Sequence, residues 1–163
     1  MKRFVFGLLF IACCLSTFAQ KDYNTSLLVE WGHGGNGVYM QSIGLLGHTE
    51  MIRNLYLDFG LKALASPKHI KNTAISQVLT GLQLKICQIT DNIPLYLGTR
   101  GGYGWMFGNN KKLKGGTFEG FARIKLTKHL SCGYYFTYQG LGKVADAHIN
   151  TQIHEGKIIY QFD

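Results

Sequence analysis

Six histidines, at 33, 48, 69, 129, 148 and 154, are the first residues whose type could do chemistry. No two are spaced as His-Glu-x-x-His, so a helical zinc-protease site is excluded at the level of motif. His33, His148 and His154 could converge on a surface metal, but scattered side chains in connections explain them better, and no metal or cofactor is assigned. The run from His33 to Gly37 is glycine-rich but lacks the Lys-Ser/Thr pair of a phosphate loop. Asn36-Gly37 reads instead as a hairpin turn. Of four cysteines only Cys87 and Cys132 lie beyond the N-terminal segment, too few for a disulfide framework. What remains are charges set inside apolar runs. Leu55 to Ala65, "LYLDFGLKALA", carries Asp58 and Lys62 four residues apart.

The element that would hold such charges follows from spacing. On a helix, Asp58 and Lys62 would form a supporting pair. On a strand, Leu55, Leu57, Phe59, Leu61, Ala63 and Ala65 form one apolar face, with Tyr56, Asp58, Gly60 and Lys62 on the other. A helix would also carry Gly60 at a cost of about 1 kcal/mol against alanine. The same alternation recurs in "SLLVEWG", "VYMQSIGLLGH", "SQVLTGLQLKIC", "PLYLGTRGGYGWMFG", "TFEGFARIKL", "LSCGYYFTYQG" and "HEGKIIYQF". That predicts eight strands in an antiparallel up-and-down arrangement, an all-β fold.

One face of these strands gathers Glu30, Asp58, Lys62, Lys85, Arg100, Glu119, Arg123, Lys125, Glu155 and Lys157, together with Gly60, Gly81, Gly98, Gly102, Gly104 and Gly133. The other is Leu, Ile, Phe, Tyr and Trp. Eight strands close on an interior barely wide enough for side chains. The glycine-rich charged face therefore belongs inside and the bulky face outside, against lipid. The charges would form a cross-strand ion network filling the lumen, with Asp58–Lys85 and Arg100–Glu119 as neighbouring-strand pairs. Charged residues make up only 16% of the chain, against about a quarter in ordinary soluble domains. The 21 glycines, 10 Phe, 9 Tyr and 2 Trp also suit a barrel with a non-aqueous outer surface.

The connections predict an orientation. "GHTEMIRN", "ITDN" and "LTKH" are compact turns for the periplasmic end, and the intervening connections are expected to be longer external loops. Those loops carry Lys68 and Lys71 in one, and Lys111, Lys112 and Lys114 in another. Such ammonium groups would meet lipopolysaccharide phosphates. Trp31, Tyr39, Trp105, Phe107, Phe118 and Tyr138 fall near the external ends, and Tyr160 and Phe162 near the periplasmic end, as interfacial aromatics.

The chain opens with Lys2-Arg3, an apolar run from Phe4 to Leu15, and Thr17-Phe18-Ala19 before Gln20. This predicts a signal peptide over 1–19 and a barrel domain over 20–163. Its removal leaves two fewer cationic residues, so the net charge falls from +8 to +6. No basic, aromatic-lined platform for nucleic acid is present.

Signal peptide, eight alternating strands and the ending "IIYQFD" together resemble the small eight-stranded outer-membrane β-barrels of Gram-negative bacteria, and the Ala-Gln junction is similar to that of Bacteroidetes exports. The resemblance implies an outer-membrane, monomeric barrel whose Tyr160 and Phe162 are read by the barrel insertion machinery. Lipid A 3-O-deacylases have a similar layout, with a His-x-Ser pair on the penultimate strand. The corresponding "YYFTYQGLG" contains neither residue, and no catalytic residue is assigned. The expected function is a non-enzymatic structural or interaction barrel. The alternatives are a deacylase-like enzyme with displaced catalytic residues, and a soluble periplasmic lipocalin-like carrier with its apolar face inside.

Overall fold

The computed structural model describes residues 25–35, 40–65, 74–90, 93–108, 111–144 and 147–162. They form eight strands: β1 (Thr25–Gly34), β2 (Met40–Ile52), β3 (Leu55–Ala65), β4 (Ala74–Thr90), β5 (Ile93–Gly108), β6 (Lys111–Lys125), β7 (Leu130–Val144) and β8 (Ala147–Phe162). Each pairs antiparallel with the next, and β8 pairs back onto β1, closing the barrel. The predicted strand reading of Leu55–Ala65 is what the chain adopts. Closure leaves no strand without two neighbours along the middle of the wall, which is the condition for backbone to cross hydrocarbon.

The two ends differ. The proximal end carries Thr25, Phe162 and the three turns after β2, β4 and β6. At the first turn Asn54 adopts φ 68°, the left-handed conformation that asparagine tolerates best after glycine. The distal end carries the connections after β1, β3, β5 and β7. Two of the long distal loops expected from the sequence, after β5 and after β7, are mostly strand, and the one after β3 lies outside the described residues. Lys111, Lys112 and Lys114 belong to β6, and β7 and β8 leave only 145–146 between them. Strands of 15–17 residues from β4 to β8 exceed the roughly 9–11 that span a bilayer, so the surplus length extends the wall rather than the loops.

Side chains divide as the alternation requires. Leu27, Trp31, Ile43, Leu45, Phe59, Leu61, Val78, Leu82, Leu97, Ile158 and Tyr160 are exposed on the outside, while Glu30, Asp58, Lys62, Arg100, Glu119, Glu155 and Lys157 are buried within. A soluble carrier would have the reverse arrangement. The interior is not wholly polar, however. Leu28, Leu46, Phe121, Tyr135 and Ile159 pack together towards the proximal end. Met40, Leu64, Ile75 and Ile153, with Met106 against them, pack at the distal end. The charges sit between these two apolar layers.

Candidate functional site: the lumenal ion cluster and the distal rim

Register explains how long charged side chains fit inside so narrow a barrel. Asp58 on β3, Gly81 on β4 and Arg100 on β5 lie in one row across the wall. A Cβ at Gly81 would stand 2.8 Å from Arg100 Cγ and would also collide with Thr99 O. The missing side chain thus lets Arg100 lie across β4 and reach Asp58, two strands away. Gly44 stands in the same way between Glu30 on β1 and Lys62 on β3, though these two do not bond, and Gly133 separates Arg123 on β6 from Lys157 on β8. The pattern is charge, glycine, charge around the circumference.

Arg100 is the hub. Its Nη2 and Nε donate to Asp58 Oδ2 at 2.7 and 3.0 Å, and Nη1 donates to Glu30 Oε1 at 2.8 Å and Glu119 Oε1 at 2.9 Å. The guanidinium carbon lies 4.6 Å from the Phe121 ring centroid, which adds a cation–π contact. Glu119 Oε2 accepts from Lys62 Nζ at 2.9 Å, Lys157 Nζ at 2.9 Å and Thr137 Oγ1 at 3.2 Å. Lys62 also donates to Glu155 Oε2 at 2.5 Å, and Lys157 to Glu30 Oε2 at 3.0 Å. One carboxylate therefore bridges three cations and one cation gathers three carboxylates. Lys157 Nζ stands 3.9 Å from the Tyr135 ring centroid, tying the ions to the apolar layer beneath.

Below Arg100, His48 Nδ1 lies 2.8 Å from Asp58 Oδ1, and Gln83 Nε2 donates to that same oxygen at 3.1 Å. His48 stacks on Tyr56, with centroids 4.7 Å apart. The sequence names His48 among the six histidines but does not place it with the lumenal charges. The available signal was its place two steps from Leu46 on an inward row, directly opposite Asp58. Above the cluster, Gln77 Nε2 donates to Gln139 Oε1 at 2.7 Å and to Thr117 Oγ1 at 3.2 Å.

The other residues singled out from the sequence are placed as follows. Arg100 and Glu119 are opposite each other and bonded. Asp58 and Lys85 are not partners: Gly81 faces Asp58, and Lys85 faces Tyr96 four residues nearer the proximal end. Arg123 is buried and its guanidinium lies over the Tyr96 ring at 4.9 Å. Its Nε and Nη1 have no hydrogen-bond partner. Lys125 Nζ donates to Gln161 Oε1 at 3.0 Å near the proximal mouth. Trp31, Trp105, Phe107, Phe118, Tyr138, Tyr160 and Phe162 are all exposed on the outer face. Lys114 is exposed on β6, whereas Lys68, Lys71, Tyr39 and the side chains of Lys111 and Lys112 lie outside the described residues.

Ser131 is buried facing the lumen, and His129 Nδ1 lies 3.1 Å from the Gln161 carbonyl oxygen while its ring stacks on Tyr160. No group of three or more His, Cys, Asp or Glu among the described residues could hold a metal ion. Cys87 and Cys132 are free thiols.

No protein-family model matches the sequence, and no curated protein matches it. Solved structures do match by fold. Neisserial surface protein A superposes with a TM-score of 0.60 at 12% identity, over 85% of this chain and 97% of that one. The N-terminal β-barrel domain of Pseudomonas aeruginosa OprF gives 0.55 at 7% identity, over 86% and 100%. A de novo designed transmembrane β-barrel gives 0.52 at 14% identity, over 84% and 95%. At these identities the likeness is one of architecture. The chain has the closed eight-stranded antiparallel fold of outer-membrane barrels, polar within and apolar without.

Proposed function

We propose that this chain is an outer-membrane barrel with a structural or interaction role, neither a pore nor an enzyme, delivered by a signal peptide at residues 1–19. The observation that carries the reading is the sealed lumen. Glu30, Asp58, Lys62, Arg100, Glu119, Glu155 and Lys157 are each no more than 2% exposed. A water-filled channel would leave its lining charges hydrated. Here they are spent on one another, with an apolar layer on either side. Work at the membrane then falls to the rims and the outer band.

In this reading the distal rim faces outwards, and its lysines, Lys68, Lys71, Lys111, Lys112 and Lys114, contact lipopolysaccharide phosphates. Tyr160 and Phe162 on the last strand are the contact for the barrel insertion machinery, and the barrel works as a monomer. The aromatic positions support a membrane band between the two rims: Trp105 and Phe107 sit near the distal end of β5, and Tyr160 and Phe162 at the proximal end of β8.

The test is gel mobility of the outer-membrane fraction, boiled against unboiled, together with conductance in planar bilayers. A mobility shift with no steady conductance is expected. Recovery as a soluble periplasmic protein without a shift, or stable open-channel currents, would overturn the proposal. Binding to lipopolysaccharide but not to its dephosphorylated form tests the role of the rim.

A further inference from the structure

The distal rim is uneven. The β1–β2 hairpin closes low, with Gly34 opposite Met40. β1 pairs with β8 only as far as Gly34–Glu155, followed by one bond from Gly35 N to the His154 carbonyl. β8 nevertheless continues as strand to Ala147, held on its other side by β7 through Val144–Ala147. A closed barrel of tilted strands must be staggered, and in this chain the distal pairing stops short at two seams, between β8 and β1 and between β6 and β7, which pair only as far as Thr117–Gln139. Residues 147–153 of β8 therefore have no neighbouring strand on the β1 side among the described residues.

The free stretch of β8 is about 23 Å long at the strand rise of about 3.3 Å per residue. Backbone direction alternates, and the His154 carbonyl points to β1. The N–H and C=O groups of Asn150 and His148 consequently point to the side on which no described strand lies. Unpaired backbone is tolerable only in water, and the outward side chains agree: Asn150 and Gln152 are exposed, whereas Ile158, Tyr160 and Phe162 further down the same row are apolar.

Composition sets this edge apart. Proteins protect open edges with charges, proline or glycine. The distal part of β6, "KKLKGG", has three lysines and two glycines. The β8 stretch, "AHINTQI", has no proline, glycine, aspartate, glutamate, lysine or arginine, and contains three β-branched residues. It is a pairing template left unguarded. The wall beside it is basic: Lys111, Lys112 and Lys114 lie in the distal part of β6, and Lys143 of β7 is paired with His148.

We infer that the distal edge of β8, residues 147–153, is a docking site for an extended acidic segment of another protein, which adds to the wall as an extra strand above the β1–β2 hairpin. Backbone hydrogen bonds supply the affinity, and the lysines select the charge of the guest. The site requires that this rim lie in water, and it is the same on either side of the membrane.

The test uses the full barrel in detergent micelles. The probe is a capped seven-residue peptide alternating glutamate and valine, with a copy N-methylated at alternate residues as control. The expected result is slowed amide exchange at His148 and Asn150 with a Kd below 1 mM, weakened at least tenfold by N-methylation. Asn150→Pro removes a donor on the free side while sparing the bonds to β7, and should weaken binding by a similar factor with the heat-induced mobility shift retained. No protection at millimolar peptide, or equal binding of the methylated copy, overturns the inference. So does disulfide dimerisation of Asn150→Cys without peptide, which would assign the edge to a second copy of the chain. A lost mobility shift in the unmodified protein would instead count against the membrane-barrel reading.

Discussion

Replacing Arg100 with methionine tests the logic of the lumen most directly. The guanidinium makes four hydrogen bonds to three carboxylates, and it is 1% exposed. Methionine keeps much of the volume and removes the charge. Glu30 and Glu119 retain lysine partners, but Asp58 is left with only His48 and Gln83. Removing one partner of a buried pair costs about 3–5 kcal/mol, because the other charge stays desolvated and uncompensated. Protonating Asp58 instead puts a similar ceiling on the loss: raising a carboxyl from about 3.9 to neutrality costs about 4 kcal/mol at 1.36 kcal/mol per unit. The two routes agree on a loss of about 3–5 kcal/mol. Urea unfolding in micelles, followed by tryptophan fluorescence and by the heat-shifted gel band, would measure it. Asp58→Asn on top of Arg100→Met should recover part of the loss, a coupling of about 1–3 kcal/mol. A single-mutant loss under about 1 kcal/mol, or strict additivity in the double mutant, would refute the claim that the ions act as one interlocked unit.

Other consequences concern space and the apolar layers. Gly81→Val should prevent the heat-stable fold, since its side chain would meet Thr99 O and the Arg100 side chain, whereas Gly116→Ala, with open space around it, should fold normally; the gel shift separates the two. Ile153→Ala, in the distal apolar layer, should destabilise by about 2–5 kcal/mol in urea without opening a conductance, because the ion cluster beneath it still seals the lumen. Phe162→Ala should lower the amount of barrel assembled in the outer membrane more than it lowers stability in micelles; equal effects on both would mean that the residue only packs.

Period-two alternation made the eight strands and the inward charges readable, since strand geometry ties every second residue to one face. Partner choice was not readable. Asp58 was matched with Lys85 from strand adjacency, but pairing depends on register: the irregularity at Glu50/Ile52 and the Arg53–Asn54 turn put His48 of β2 opposite Asp58, and the β3–β4 register that starts with Ala65 opposite Ala74 puts Gly81 of β4 there. The long reach of Arg100 was foreshadowed by Gly81, yet a glycine says where room exists and not who uses it. The inner apolar layers were missed because Leu28, Leu46 and Ile159 sit beside outward apolar residues, which blurs the alternation just there. The distal loops were overestimated for a related reason. Lysine, asparagine and glycine weaken a strand signal without forbidding a strand, and an edge in water can afford them.

Charge placement ties the lumen to the rim. Inside the wall, Glu30, Asp58, Glu119 and Glu155 balance Lys62, Arg100, Arg123 and Lys157, so the buried cluster is neutral as a whole although Arg123 bonds none of the acids. That balance is what low-dielectric burial demands, because any surplus would carry an uncompensated desolvation cost. The basic character of the chain must then come from elsewhere. Lys111, Lys112 and Lys114 of β6 and Lys143 of β7 put four positive charges on the distal parts of those strands, against a net +6 for residues 20–163. A surplus so concentrated does nothing for the stability of the wall, where like charges repel. It makes sense as a field directed out of the barrel towards anionic groups. Moderate salt should accordingly weaken any rim interaction while leaving unfolding of the barrel nearly unchanged, because surface charges are screened over about 10 Å at 0.1 M and the buried cluster is not. Equal salt sensitivity of the two would place the working charges inside the wall rather than on its edge.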